Sequence, residues 1–298
     1  MTWLWLILGL AAGAAIWGIG IERYLFVVRR ESLRVLPHGS QPLTVLHIGD
    51  LHIAPWQKRK LAWIHRLGEL APDLVVNTGD NLGHRAAIGP TLTALQPLLE
   101  RTGVFVNGSN DYHAPELRNP LAYLGGPSEA GHGEKLETAR LTAGFTSSGW
   151  LDLNNRRGRA VLKGLKINFV GVDDAHDGLD DLNSIPSAVE LSADADLVIG
   201  VSHAPYLRVI EAMGQANVDL LFAGHTHGGQ VCIPGFGALV TNCDLPRKNA
   251  KGISNWNIAG RTLILNVVAG LGNSIFAPVR FACRPEVRLL TLLPKPAR

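Results

Sequence analysis

Five separated islands of metal-ligand side chains each close an apolar run of this chain. They are Asp50-Leu51-His52, Gly79-Asp80, Ser109-Asn110-Asp111, Ser202-His203 and Gly224-His225-Thr226-His227. One Asp or His at a strand end is most often a hydrogen-bonded turn residue. Five in succession point to a shared metal site with Asp50, His52, Asp80, Asn110, His203, His225 and His227 as candidate ligands. Seven nitrogen and oxygen donors without a thiolate exceed what one tetrahedral structural zinc takes. They are about what two divalent cations sharing a bridging carboxylate need.

The elements that must position these groups follow from period-2 patterning. Leu43 to Gly49 has strand composition, so Asp50 and His52 leave its end on one side; the run Val218 to Ala223 does the same for His225 and His227, with Gly224 permitting a tight turn. Asp73 to Gly79, Gly103 to Gly108 and Asp196 to Ser202 end in Asp80, Ser109-Asn110 and His203. All the candidate ligands then sit at carboxyl ends of strands, where open α/β sheets place their sites. Helical patterns over Gln57 to Leu70, Ile88 to Glu100 and Tyr206 to Ala216 alternate with these strands. Later, Arg159 to Lys163 with Lys166 to Val172, and Asn257-Ile258 with Thr262 to Val268, read as hairpins. An α/β fold with mixed sheets is expected.

The order Asp-x-His, Gly-Asp, an Asn-bearing island, His and Gly-His-x-His resembles that of the calcineurin-like metallophosphoesterases. The longer form Gly224-His225-Thr226-His227-Gly228-Gly229-Gln230 is similar to a membrane-anchored bacterial branch that includes UDP-2,3-diacylglucosamine pyrophosphatases. The resemblance implies a sandwich of two mixed β-sheets flanked by helices. It implies one metal on Asp50, His52, Asp80 and His227, with Asp80 bridging to a second on His203, His225 and an amide oxygen. Mn, Fe or Zn would serve, Mn being favoured. A hydroxide held between the two ions would attack phosphorus in line.

The third island, Ser109-Asn110-Asp111, departs from the family's Gly-Asn-His-Asp/Glu. With Asp111 aligned to the acidic residue, Ser109 stands at the metal-binding amide and Asn110 at the histidine; a shift of one returns Asn110 to the metal, the register favoured here because an amide carbonyl is the better ligand. Under either register the family's proton donor is missing. His113 and His84 are the candidates to replace it, although a loop histidine is more often simply solvated.

From Met1 to Ile21 no side chain is charged, close to the ~20 residues that cross a bilayer. A cleaved signal peptide with Ala12-Gly13-Ala14 as its cleavage site is the alternative, but no Lys or Arg precedes the run and the run continues past that site. A single-pass anchor is expected. Arg23, Arg29, Arg30 and Arg34 follow it, which places the remainder in the cytoplasm of a cell-membrane protein by the positive-inside rule. The expected division is an anchor over 1–28, a linker over 29–42 and a catalytic domain over 43–298. With 298 residues, 46% of them hydrophobic, the chain can bury a large core. A net charge of +3 and no Lys/Arg run longer than three give no sign of a nucleic-acid groove.

Cys232, Cys243 and Cys283 show no paired spacing and read as small buried hydrophobes. The stretch from Tyr112 to Phe145, with Gly125-Gly126-Pro127 and His132 between glycines, is the least regular and could hold specificity or be a surface loop; Gly228 to Val240 would form another loop over the metals. The functional expectation is a membrane-anchored dimetal phosphohydrolase acting on a phosphoester or pyrophosphate, with a lipid-linked or amphiphilic substrate as partner. A phosphoprotein phosphatase, a cyclic-nucleotide phosphodiesterase and a catalytically weakened metal-binding scaffold are the alternatives.

Overall fold

The computed structural model describes residues 2–117 and 133–297. Its strands are β1 (Val27–Leu36), β2 (Leu43–Ile48), β3 (Leu74–Asn77), β4 (Gly103–Phe105), β5 (Leu151–Asp152), β6 (Arg156–Leu162), β7 (Leu165–Gly171), β8 (Leu197–Val201), β9 (Leu220–Ala223), β10 (Cys232–Ile233), β11 (Gly237–Ala238), β12 (Gly252–Ile258), β13 (Arg261–Val267) and β14 (Glu286–Pro294). Its α-helices are α1 (Thr2–Ile16), α2 (Lys58–His65), α3 (Ile88–Leu99), α4 (Ser109–Tyr112), α5 (Thr138–Ser147), α6 (Ala188–Ser192) and α7 (Leu207–Gln215).

Two six-stranded sheets form, in the orders β1-β14-β2-β3-β4-β5 and β12-β13-β9-β8-β7-β6. Strands β2 to β5 run parallel, as do β7, β8, β9 and β13, while β14 against β2, β6 against β7 and β12 against β13 are antiparallel, so both sheets are mixed. Alternation along each strand divides the apolar residues between two layers. Leu43, Val45 and Val76 of the first sheet meet Ile199, Val201 and Phe222 of the second in a core between the sheets. Leu46, Ile48 and Val75 face the other way, into a cluster with Ile64, Leu95 and Leu98 from α2 and α3. Val198, Leu221 and Leu265 pack with Val209, Ile210 and Met213 of α7 on the far side of the second sheet. The result is helices, sheet, sheet, helices.

Register brings the strand ends level. Ile48 pairs with Asn77 and Asn77 with Phe105; Gly171 pairs with Val201, Val201 with Phe222 and Ala223 with Val267. Buried His47 on β2 joins the sheets, one ring nitrogen 3.2 Å from Thr78 Oγ1 and the other 2.8 Å from Asn266 Nδ2 of β13. Loops leaving both sheets therefore open onto one shared edge.

The expected linker over 29–42 is corrected. Its first part lies in β1, which pairs in parallel with β14 from Val27↔Glu286 to Leu36↔Pro294. Its charged residues are accommodated because β1 is an edge strand exposed over residues 29–32, where Arg29 and Glu31 pair with Glu286 and Arg288. The irregular stretch from Tyr112 is also shorter than expected, since Thr138–Ser147 is helical and buries Leu141 and Phe145. Gly125-Gly126-Pro127 and His132 lie outside the described residues. The loop after Gly228 contains the small β10–β11 hairpin. Cys232 and Cys283 are buried and Cys243 half-buried, all as free thiols.

The N-terminal apolar segment is helical over Thr2–Tyr24, ending in π- and 3₁₀-helical turns. At 23 residues it is long and apolar enough to cross a membrane, and Trp3, Trp5, Leu10 and Ile16 are exposed along it.

Candidate metal centre

Five of the candidate ligands share an uncommon backbone conformation. Asp50, His52, Asp80, His225 and His227 all adopt positive φ, at 46, 39, 54, 68 and 49°. Left-handed conformations in non-glycine residues cost about 1–3 kcal/mol each and persist only where the surroundings impose them. Here the strand ends impose them, turning five carboxylate and imidazole groups towards one another. Two glycines allow the close approach: a Cβ on Gly108 would lie 2.4 Å from Asp80 Oδ1 and 2.7 Å from the His203 ring, and one on Gly224 would lie 2.5 Å from Asp50 Oδ2.

Ligand atoms of Asp50, His52, Asp80 and His227 all lie within 4.8 Å of one another. His52 Nε2 is 3.1 Å from His227 Nε2 and 3.3 Å from Asp80 Oδ2, and His227 Nε2 is 3.6 Å from Asp50 Oδ1. On the other side of Asp80, His203 Nε2 approaches Oδ1 at 3.7 Å, and the His225 ring stands edge-on to His203 at 5.2 Å.

The other ring nitrogen of three imidazoles is tied to a backbone carbonyl. His203 Nδ1 donates to Thr78 O at 2.7 Å, His225 Nε2 to Asn242 O at 3.0 Å and His227 Nδ1 to Gly272 O at 3.3 Å. His227 Nδ1 also faces the donor Arg280 Nη2 at 3.4 Å. A carbonyl only accepts, so in the neutral imidazoles of His203 and His225 the contact places the proton on that nitrogen and leaves the opposite one with its lone pair free. That is the arrangement by which proteins orient metal-bound histidines. His203 Nε2 and His52 Nδ1 are buried and have no hydrogen-bond partner among the described residues. A donor set of two carboxylates and four imidazoles suits divalent Mn, Fe or Zn. The residues present therefore fit divalent cations.

Electrostatics agree with this fit. Burial raises the Asp50 and Asp80 carboxyls to about 6 and that of Asp111 to about 7. Burial also opposes charge on His203, but the carboxylates of Asp80, Asp174 and Asp50 outweigh it and lift the imidazole to about 9. His52, His225 and His227 are held well below their ordinary value, first by burial. Without a cation, protons supply the positive charge these carboxylates require.

Supporting contacts fix the loops. Lys60 Nζ donates to the carbonyls of Leu51 and His52 at 2.5 and 2.9 Å. Buried Arg280 donates to the carbonyls of His227, Ala269 and Gly272. Asp50 accepts the N–H of His225 with both oxygens at 3.0 Å.

The third island is fixed by Asp111. Asp111 accepts the backbone N–H groups of Gly108, Asn81 and Leu82. Asn110, expected at the second cation, lies against Asp80, giving its backbone N–H to Oδ1 at 2.8 Å and its amide Nδ2 to Oδ2 at 2.9 Å. Ser109 Oγ donates to Asp174 Oδ2 at 2.5 Å. His113 lies with Nδ1 4.0 Å from Asp177 Oδ2. His84 packs edge-on to Trp56 and accepts the Ala86 N–H, and none of its contacts among the described residues is to the cluster.

Sequence reasoning missed Asp173, Asp174 and His176. Asp174 is fully buried, Asp173 accepts from Tyr112, and the His176 ring lies 4.5 Å from that of His225, with Nδ1 3.0 Å from the Tyr206 hydroxyl. The signal was available. β7 ends at Gly171, and Asp173-Asp174-Ala175-His176-Asp177 follows it as a sixth island.

A model of the calcineurin-like phosphoesterase family matches residues 43–229. Among curated proteins, the chain is 27% identical to the uncharacterized metallophosphoesterase YkuE of Bacillus subtilis over 95% of this chain and 93% of that one. It is 26% identical to phosphodiesterase YaeI of Escherichia coli over 93% of each. A Bos taurus transmembrane protein with a metallophosphoesterase domain is 24% identical over 66% of this chain, which spans 43% of that longer protein.

Proposed function

This chain belongs to the calcineurin-like phosphoesterase family and is a metal-dependent phosphoester hydrolase, and from that premise we propose a membrane-anchored enzyme that holds two divalent cations and cleaves a phosphodiester or pyrophosphate bond of an amphiphilic, lipid-linked substrate. The observation that carries the dinuclear reading is the pair of imidazole nitrogens on either side of Asp80, His52 Nε2 3.3 Å from Oδ2 and His203 Nε2 3.7 Å from Oδ1. Asp50, His52, Asp80 and His227 would hold one cation; Asp80, His203 and His225 would hold the other. Bound there, the two cations supply Lewis acidity for a phosphoryl oxygen and make hydroxide available from water near neutral pH.

The chain's own residues do the rest. Asn110 steadies Asp80 through two hydrogen bonds, so that both carboxylate oxygens keep their directions. Asp111, buried beneath, fixes the turn that carries Asn110. His113, beside Asp177, is the candidate proton donor to a leaving oxygen. The name of the relative YaeI favours a diester. The apolar helix supports anchoring, its following arginines support a cytoplasmic domain, and Mn is the preferred cation.

The test is hydrolysis by the Mn-loaded full-length protein of bis-nitrophenyl phosphate, nitrophenyl phosphate, nucleotide-sugar pyrophosphates and lipid pyrophosphates in mixed micelles. Turnover of diester and pyrophosphate above monoester is expected. Two bound cations with no turnover of any member would identify a metal-binding scaffold instead.

A further inference from the structure

The metal loop leads directly into a surface whose residue types are wrong for water. After His227 and two glycines the chain enters the β10–β11 hairpin, where Val231, Ile233 and Phe236 are 40, 48 and 62% exposed, and Phe276 nearby in the chain fold is 45% exposed. Single exposed apolar residues need no explanation, but these stand on segments hydrogen-bonded to one another. Val231 bridges Phe281, Cys232 N–H donates to Phe281 O at 2.8 Å, Phe281 N–H donates to Gln230 O at 3.1 Å, and Gln230 Nε2 donates to Ala277 O at 3.1 Å.

The same 277–283 segment seats the end of the apolar helix. Arg280 N–H donates to Gly18 O at 3.2 Å, and a Cβ on Gly18 would lie 2.8 Å from Arg280 O, so the contact is close. Buried Glu22 accepts the N–H groups of Ala282 and Cys283 at 3.0 and 2.8 Å and the indole N–H of Trp17 at 2.7 Å. The junction is thus docked through named hydrogen bonds. Through Arg280, which also holds the His227 carbonyl, it is joined to the metal loop. The Arg247 guanidinium lies 5.3 Å from the Phe236 ring centroid and Lys248 beside it is exposed, a pairing of aromatic and cationic groups suited to anionic headgroups.

We propose that Val231, Ile233, Phe236 and Phe276 enter the headgroup region of the same bilayer that the helix spans, so that the metal centre opens at the membrane surface onto a phosphate at headgroup depth. The occupant is lipid because the patch continues from the helix end and carries cations at its rim. The inference rests on the anchored reading above. It deepens that reading by making the substrate a membrane-resident phosphate that need not leave the bilayer.

The experiment uses full-length protein in vesicles of phosphatidylethanolamine and phosphatidylglycerol, with a charged, membrane-impermeant maleimide as probe. Phe236→Cys and, independently, Ile233→Cys are compared with Val189→Cys, a control position 82% exposed on α6. The wild-type protein with its native thiols gives the background. Burial of these positions 5–10 Å into the interface should slow labelling of both hairpin variants at least about tenfold relative to the control. Equal rates at all three positions would overturn the proposal. Protection in native membranes but not in pure lipid would overturn it too, by showing a protein partner. Carbonate extraction of the wild type separates the two readings. Release of the protein would remove the anchor itself, whereas a retained protein with freely labelled hairpin variants would remove only this inference.

Discussion

At the scale of single residues, function converges on Asp80, the carboxylate shared by the two groups of imidazoles. Asp80→Asn keeps the shape but removes the charge, so both cations should be lost and turnover should fall by several orders of magnitude. Metal analysis of the purified variant checks this, and two retained cations with full activity would refute the shared role. Asn110 leads to a second prediction. It occupies Asp80 as a donor and brings no imidazole, so protonation of a leaving oxygen depends on His113 or is absent. General acid catalysis contributes about 10²–10⁴-fold. Alkyl esters should therefore lag nitrophenyl esters by about that factor, and Asn110→His should narrow the gap; a leaving-group series on His113→Ala reveals whether His113 already supplies a proton. The ligand islands were legible in the sequence because their residue types are rare in that order. Asp174 and His176 are less legible because they sit in the acidic run 173–181, whose Asp-rich, Gly-bearing composition is that of a solvated turn.

At the scale of elements, the site exists because strands of both sheets end level and because glycines let their loops touch. Gly108 lies where β4 hands the chain to α4, between Asp80 and His203. Gly108→Ala should push those two side chains apart and weaken cation binding at least about tenfold while the fold survives, because the overlap is local to the site. Far-ultraviolet circular dichroism with calorimetric Mn titration separates the outcomes; unchanged affinity would mean that the loops yield without cost. Strand and helix periodicities made β2, β3, β8, β9, α2, α3 and α7 legible. β1 was not. Its Arg29-Arg30-Glu31 run looks solvated when read locally, and its partner β14 begins about 250 residues later at Glu286, so only tertiary pairing makes it a strand.

For the whole molecule, the buried carboxylates make stability, pH and cation binding one problem. In the metal-free protein the Asp50 and Asp80 carboxyls are raised to about 6, against 3.8 unperturbed. Their contribution to stability is then greatest below about pH 4 and is lost as pH rises through 6. His203, raised to about 9 from 6.5, contributes fully below 6.5 and loses its contribution as pH rises through 9. Both signs act in one direction, weakening the metal-free fold between pH 4 and 9. A cation requires the deprotonated forms and replaces the charge that the protons supplied, so its stabilising effect should grow over the same window. At free Mn about 100 times its dissociation constant, linkage contributes roughly 2.7 kcal/mol, which corresponds to a Tm rise of about 4 °C for a chain of 298 residues. The Tm gap between Mn-loaded and chelator-treated protein should therefore widen from pH 6 to pH 8. Titration at pH 6 in two buffers of different ionisation enthalpy should show proton release on binding. A gap independent of pH, with no proton released, would mean that the carboxylates are already ionised before the cation arrives and that some other positive charge, Arg280 foremost, balances them.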